Sequence, residues 1–442
     1  MALPARTNVP RDTDRRRTRT FPPGRALAAA AAAALALTGC LGPGGSARVS
    51  SADASGDGIL RIGLMLDNTG PQNFLNAPQL AAAKLAVQDI NAAGGHKGKP
   101  VELLPETIST DTAAQARALA AAKADVVIGP TDSSHAPAAI DVLANAKVAV
   151  ISPANSAAAL SNYKSNGYYF RTSASDVAQA SVLAKLAKDA GAKTVAVLHE
   201  EGGYGKEVAA AVADAAKQSG LDAVADAQFT PGQAQQAAAA AKAVNPDAVV
   251  LVAREGAQGA IAELNNAGLA GKKLILSDEA VSRYGSGLGA QALDGTRAIL
   301  PGVFPSAAFQ ADLVGVDPGL KDMVFAAETY DAVILAALAA AAAQDDAGTT
   351  IAASLVAVSG GTNSAGGQPA GQPAGKACTS YKDCVDALRA GQRPDYDGQS
   401  GRLNFDAHGD ITEANYMVYT YGADNLATMT GTETATSSRT VG

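Results

Sequence analysis

From Leu60 onward, short β-branched runs alternate with longer stretches of helical periodicity, and glycine closes several of the helical ones. A strand that returns through a helix to a parallel neighbour forms a right-handed unit, so repeating this pattern commits a chain to doubly wound α/β sheets. Strands are predicted at Leu60 to Leu66, Val101 to Pro105, Asp125 to Gly129, Val148 to Ser152, Thr194 to His199, Ala223 to Phe229, Ala248 to Val252 and Lys273 to Leu276. Between them, Pro78 to Ala93 sets Leu80, Ala83, Val87 and Ile90 on one helical stripe and stops at Gly94 and Gly95. Helices are likewise predicted at Ala178 to Ala190 and Lys206 to Ser219, each followed by glycine. The apolar run Ala332 to Ala343 suits a packed helix.

The N-terminus has a different logic. Arg15, Arg16, Arg17, Arg19 and Arg25 precede an alanine-rich run, Ala26 to Ala36, that ends in Leu37, Thr38, Gly39 and Cys40. A basic head, a short apolar centre and small residues before a Cys describe an export signal that resembles a bacterial lipobox. The run is too short to cross a hydrocarbon core of about 30 Å as an ordinary helix. The expectation is a lipoprotein signal peptide over 1–39, lipidation at Cys40, a flexible Gly/Ser/Ala/Pro tether over 40–58, and anchoring on the extracytoplasmic face of the cell membrane. Sec and Tat export both remain open. Without residues 1–39 the chain carries 28 Lys and Arg against 40 Asp and Glu. So acidic a surface argues against nucleic acid or an anionic bilayer as partner. About 400 residues exceed one comfortable core and suggest two lobes.

Cys378 and Cys384 then remain as an even pair in an exported chain, where disulfides persist, and they are read as bonded. No His or further Cys flanks them as a metal site would require. Ser359 to Lys376 reads as a mobile surface loop, and 422–442, rich in Thr and Ser, as a disordered tail.

In open α/β sheets, ligands lie beyond the carboxyl ends of the strands. Ser133 and Ser134 follow the third strand and Ser156 the fourth. Hydroxyls and free N–H groups at such places suit a carboxylate. Asp278 and Glu279 follow the strand ending at Leu276 and would suit an ammonium group. Together they describe a pocket for an amino acid zwitterion, although each serine could equally be an N-cap and each acid a solvated turn residue. Catalysis is not expected: the four histidines, at 96, 135, 199 and 408, show no metal spacing, GxSxG is absent, and Gly202 to Gly205 lacks the Walker lysine. No cofactor is expected.

The order of motifs adds a family. ThrGlyPro at 69–71, AVQDINAAGGHKG at 86–98, IleGlyPro at 128–130, IleSerProAlaAsnSer at 151–156, PheArgThr at 170–172, TyrGly at 204–205, TyrAspAla at 330–332, CTSYKDC at 378–384 and DYDGQSGRLNFDAHGD at 395–410 resemble the leucine/isoleucine/valine-binding protein family, extracytoplasmic receptors of ABC importers. The resemblance runs from Ile59 to about Tyr421. It implies a type I periplasmic binding fold, two Rossmann-like lobes joined by three crossovers near Thr172, Leu300 and Ser400. The lobes would comprise 59–172 plus 301–400 and 173–300 plus 401–421. Carried over by motif, Ser133, Ala154 and Ser156 would hold the α-carboxylate, Tyr204 would close over the ligand, and Glu279 or Asp278 would take the ammonium. Phe74 or Leu75 stands where the family often has a Tyr. Ala253 to Gly256 reads AREG where Gly and Tyr are frequent, so Arg254 or Glu255 would suit a polar ligand or lie on the surface. Implied partners are a small ligand, an amino acid by default, and ABC permease subunits. The alternative is a sensing receptor of the same fold for a small amide, urea or polar amino acid.

Overall fold

The computed structural model describes residues 48–49, 55–361 and 375–436. The signal segment, Cys40, most of the tether, 362–374 of the expected loop and the last six residues lie outside them. The described chain builds two large α/β layers and one small sheet. In the first layer, strands β1 (Arg61–Leu64), β2 (Glu102–Leu103), β3 (Val126–Ile128), β4 (Ala149–Ser152) and β5 (Tyr169–Arg171) pair in parallel in the order β2-β1-β3-β4-β5. β3 and β4 are buried along their whole length, as continuous apolar runs between helices require. Gly129, with φ of +113°, follows β3 because a Cβ there would stand 2.6 Å from the Met65 carbonyl oxygen.

The second layer contains β6 (Thr194–Glu200), β7 (Asp222–Phe229), β8 (Ala248–Val252), β9 (Leu274–Leu276) and β10 (Arg297–Pro301). Next in the chain, β11 (Lys376–Cys378), β12 (Pro394–Gly398) and β13 (Gly401–Arg402) make the small sheet. β14 (Glu413–Tyr421) and β15 (Ala427–Thr436) then return to the second layer, giving the order β15-β14-β10-β9-β8-β6-β7. β14 lies antiparallel to both β10 and β15. The chain thus passes between the layers after Arg171, after Pro301 and between Arg402 and Glu413.

Three expectations require correction. Part of the expected disordered tail, residues 427–436, is the edge strand β15, because alternating β-branched threonines pair along β14 and Ala435 seals against the core. The tether is also not free throughout: Arg48 lies 4.5 Å over the Phe170 ring and donates to the Tyr169 and His408 carbonyls. Gly58 N–H donates to Asp346, so order begins before Ile59. Of the expected mobile loop, Ser359 is buried and accepts from Phe405 N–H, and Lys376 opens β11.

Cys378 and Cys384 are disulfide-bonded, tying β11 to the helix Tyr381–Arg389. Among the described residues one helix, Ala326–Ala343, is long and apolar enough to cross a membrane, but 78% of that span is buried inside the protein, against the helices Asn76–Ala92 and Gly348–Val358.

Candidate functional site

The carboxyl ends of β4 and β5 face those of β9 and β10 across a cavity of about 520 Å³. Ala154, Ser156 and Thr172 line one wall, Asp278 and Glu279 the other, with Gly302, Phe304, Met323, Val324 and Glu328 extending it beside β10. The first wall is rigid for reasons that lie behind it. Asp67 accepts from the N–H groups of Thr131 and Asp132 at 2.8 and 3.1 Å and holds His135 Nδ1 at 2.8 Å. Asn155, fully buried, donates to the Thr131 carbonyl and accepts from the Tyr169 hydroxyl, which locks the loop after β4 to the loop after β3. Arg171 completes the wall: its guanidinium grips Asp410 through Nε and Nη2 at 2.7 and 3.1 Å and donates to the Asn155 and Ala157 carbonyls. Burial lowers its pKa, but the charge and hydrogen bonds of Asp410, together with Tyr169 and Asp176, outweigh it and raise it.

Ser133 Oγ accepts from the N–H groups of Ser156 and Ala157 at 3.1 and 3.3 Å, so it stands directly behind Ser156 rather than on the cavity surface. Ser134 turns away to donate to Asp132 at 2.7 Å and is exposed. Phe74, in the 3₁₀ segment Gly70–Leu75, is 49% exposed and lies outside the lining. Asp132 is pushed up by burial, but the hydrogen bonds from Ser134, with His135 and Arg254, hold its carboxyl below the ordinary value.

On the opposite wall, the Tyr204 hydroxyl donates to Asp278 at 2.5 Å and lies 3.0 Å from Ser277 Oγ. Asp278 also accepts from Gln179 Nε2 at 2.8 Å. The Tyr204 side chain therefore braces the acid and is not itself part of the lining. Arg254 stacks 4.3 Å over the Tyr204 ring and pairs with Glu279 at 3.3 Å. This places Arg254 at the cleft, while Glu255 is exposed. Burial raises the Glu279 pKa, and Arg254 opposes that shift. Glu200 fixes the loop carrying Arg254 by accepting from the N–H groups of Arg254 and Gly256. Behind Ser156, Asp176 is buried, with Oδ1 lacking a hydrogen-bond partner, and burial together with the Asp278 charge pushes its carboxyl up to about 7.

Ala154, Ser156, Asp278 and Glu279 are thus brought together, Ser133 and Tyr204 stand one layer behind, and Ser134 and Phe74 lie apart. Arg171 and Asp410 lie within motifs quoted for the family resemblance, yet sequence gave them no role; Asp176, Gln179 and Glu328 carried no signal at all. Among the described residues no group of three or more His, Cys, Asp and Glu is placed to hold a metal ion.

The fold has known counterparts. A family model described as periplasmic binding protein matches residues 59–379. The chemotactic signal transduction system substrate-binding protein BasB of Halobacterium salinarum is 28% identical over 376 residues, 78% of this chain and 83% of that protein. The branched-chain amino acid transporter substrate-binding protein of Streptococcus pneumoniae, solved with isoleucine, is 22% identical with a TM-score of 0.57, over 86% of this chain and 99% of that one. A solute-binding protein of an ABC transporter from Rhodopseudomonas palustris HaA2, solved with p-hydroxybenzoic acid, is 16% identical with a TM-score of 0.58, over 86% and 98% of the two chains.

Proposed function

Since the chain belongs to the periplasmic binding protein family, with its two-lobed type I fold, we propose that it is a lipid-anchored receptor that captures an amino acid for an ABC importer. The carrying observation is the cavity flanked by Ser156 and Ala154 on one side and by Asp278 and Glu279 on the other. The Ser156 hydroxyl on the cavity wall suits the carboxylate, and the two acids suit the ammonium. A ligand touching both walls gains contacts that exist only when the lobes, 59–172 plus 301–400 and 173–300 plus 401–421, stand together, and so favours the shut form. That shut form is what a permease would recognise.

The test is thermal unfolding of the purified full-length chain in detergent against a panel of amino acids, amides, urea and aromatic acids. Saturation at about 100 Kd stabilises by about 2.7 kcal/mol. Stabilisation by amino acids supports the reading. Stabilisation by benzoate-like acids alone overturns it. Anchoring is tested by labelling with radioactive palmitate, which Cys40→Ala should abolish.

Likeness to the chemotactic BasB favours a second reading, in which the occupied receptor signals to a membrane transducer. Loss of uptake on deleting the gene supports transport. Intact uptake with a lost ligand response supports sensing.

A further inference from the structure

We propose that Glu328, on the wall of the cavity, receives a positively charged side-chain terminus, so that the ligand is a cationic amino acid; this rests on the amino acid reading of the cavity flanked by Ser156 and Glu279. The cavity is lined by five carboxylates, Asp278, Glu279, Asp322, Glu328 and Glu413, and by no Lys, Arg or His. Four of the five pair with or accept from another residue. Asp278 accepts from Tyr204 and Gln179, Glu279 pairs with Arg254, Asp322 accepts from Val324 N–H at 2.9 Å, and Glu413 pairs with Arg402 at 3.0 Å.

Glu328 differs. No cationic side chain pairs with it among the described residues. It sits in the first turn of the helix Ala326–Ala343, against Gly302, where a Cβ would come 3.2 Å from its Oε1. Its neighbour of nearest consequence, Asp331, has the same sign, and burial pushes the Glu328 carboxyl up to about 7. A cation arriving here would meet a half-buried carboxylate whose only hydrogen bond among the described residues comes from its own backbone N–H.

The same cavity also offers a wall that suits an alkyl stem: Val303, Phe304, Met323 and Val324 line it, and Phe304 is 65% exposed and Val324 41% exposed. The methylenes of Lys or Arg can cover such a surface while the charged end reaches beyond it. A branched-chain side chain would cover part of the wall and leave Glu328 without a partner. An acid lacking an amine would bring another negative charge into a cavity already lined by five.

Isothermal titration of the purified full-length chain with arginine against citrulline, and lysine against norleucine, tests this, because each pair shares its stem and differs in the terminal charge. The charged member should bind at least about tenfold tighter, as expected for a desolvated charge pair. E328Q should bring the two members of each pair together while leaving the neutral ligands nearly unchanged. Should E328Q fail to fold, judged by its unfolding curve without ligand, the pair ratios on the unaltered protein still decide. Equal or tighter binding of citrulline and norleucine overturns the inference and leaves the amino acid reading standing. Binding of pentylamine with no binding of any α-amino acid overturns the head-group reading and keeps the cation end. No binding of either class overturns both.

Discussion

Replacing Arg171 with Met should destabilise the protein strongly and loosen ligand binding with it. The guanidinium is fully buried, holds Asp410 by two hydrogen bonds and anchors the carbonyls of Asn155 and Ala157 on either side of Ser156. Removing one partner of a buried pair typically costs 3–5 kcal/mol, taken here as about 4. Roughly 370 described residues at about 2.1 cal/mol/K each give an unfolding entropy near 0.8 kcal/mol/K, so the midpoint should fall by about 5 °C. Scanning calorimetry of the unaltered chain, R171M, D410L and the double variant measures it. Because much of the loss comes from the charge left behind, R171M/D410L should be more stable than R171M alone. A midpoint for R171M within 1 °C of the unaltered protein, or strictly additive losses in the double variant, would refute this account of the wall.

Glu279→Ala should weaken an amino acid ligand by about tenfold, a modest loss because Glu279 is half exposed and already shared with Arg254; titration calorimetry checks it, and unchanged affinity removes Glu279 from the site. Asp176 stays protonated in the folded protein up to about pH 7, whereas an unfolded Asp ionises near 3.8, so folding binds a proton in that window and its contribution to stability is lost as pH rises through it. The shift corresponds to about 4 kcal/mol as an upper bound. Urea unfolding at pH 5 and pH 8 should show D176N gaining on the unaltered protein at the higher pH, and an identical pH dependence in the two proteins would contradict it. Gly205→Ala should disrupt the approach to the cleft, since a Cβ there would stand 1.8 Å from the Glu200 carbonyl oxygen; circular dichroism melting should register a loss of at least 1 kcal/mol.

Most of the layered fold was legible because buried parallel strands are continuous apolar runs. Ala248 to Val252 matches β8 from end to end, and the helix expected at Pro78 to Ala93 is Asn76–Ala92. β15 was illegible for the complementary reason: an edge strand with mostly exposed residues has little apolar alternation, and its threonines read equally well as tail. Ser156, Ala154, Asp278 and Glu279 could be found because position after a strand is a sequence property. That Ser133 and Tyr204 serve as supports rather than lining depends on side-chain direction, which spacing does not fix. Glu328 escaped notice because it meets Gly302 only through packing of distant segments.

Asp331 accepts from the Gln399 and Ser400 N–H groups and from the Tyr396 and Ser400 hydroxyls, while one turn earlier the Glu328 carbonyl accepts from Thr172 and its side chain abuts Gly302. Segments at or beside all three passages between the layers therefore meet on the opening turns of one helix, much as leaves of a door share a pin. Under the proposed closure, a change at Asp331 that never meets the ligand could still reset the resting angle. Apparent affinity scales with the fraction of molecules already shut, so tuning of this protein could accumulate at the pin and leave the pocket chemistry untouched.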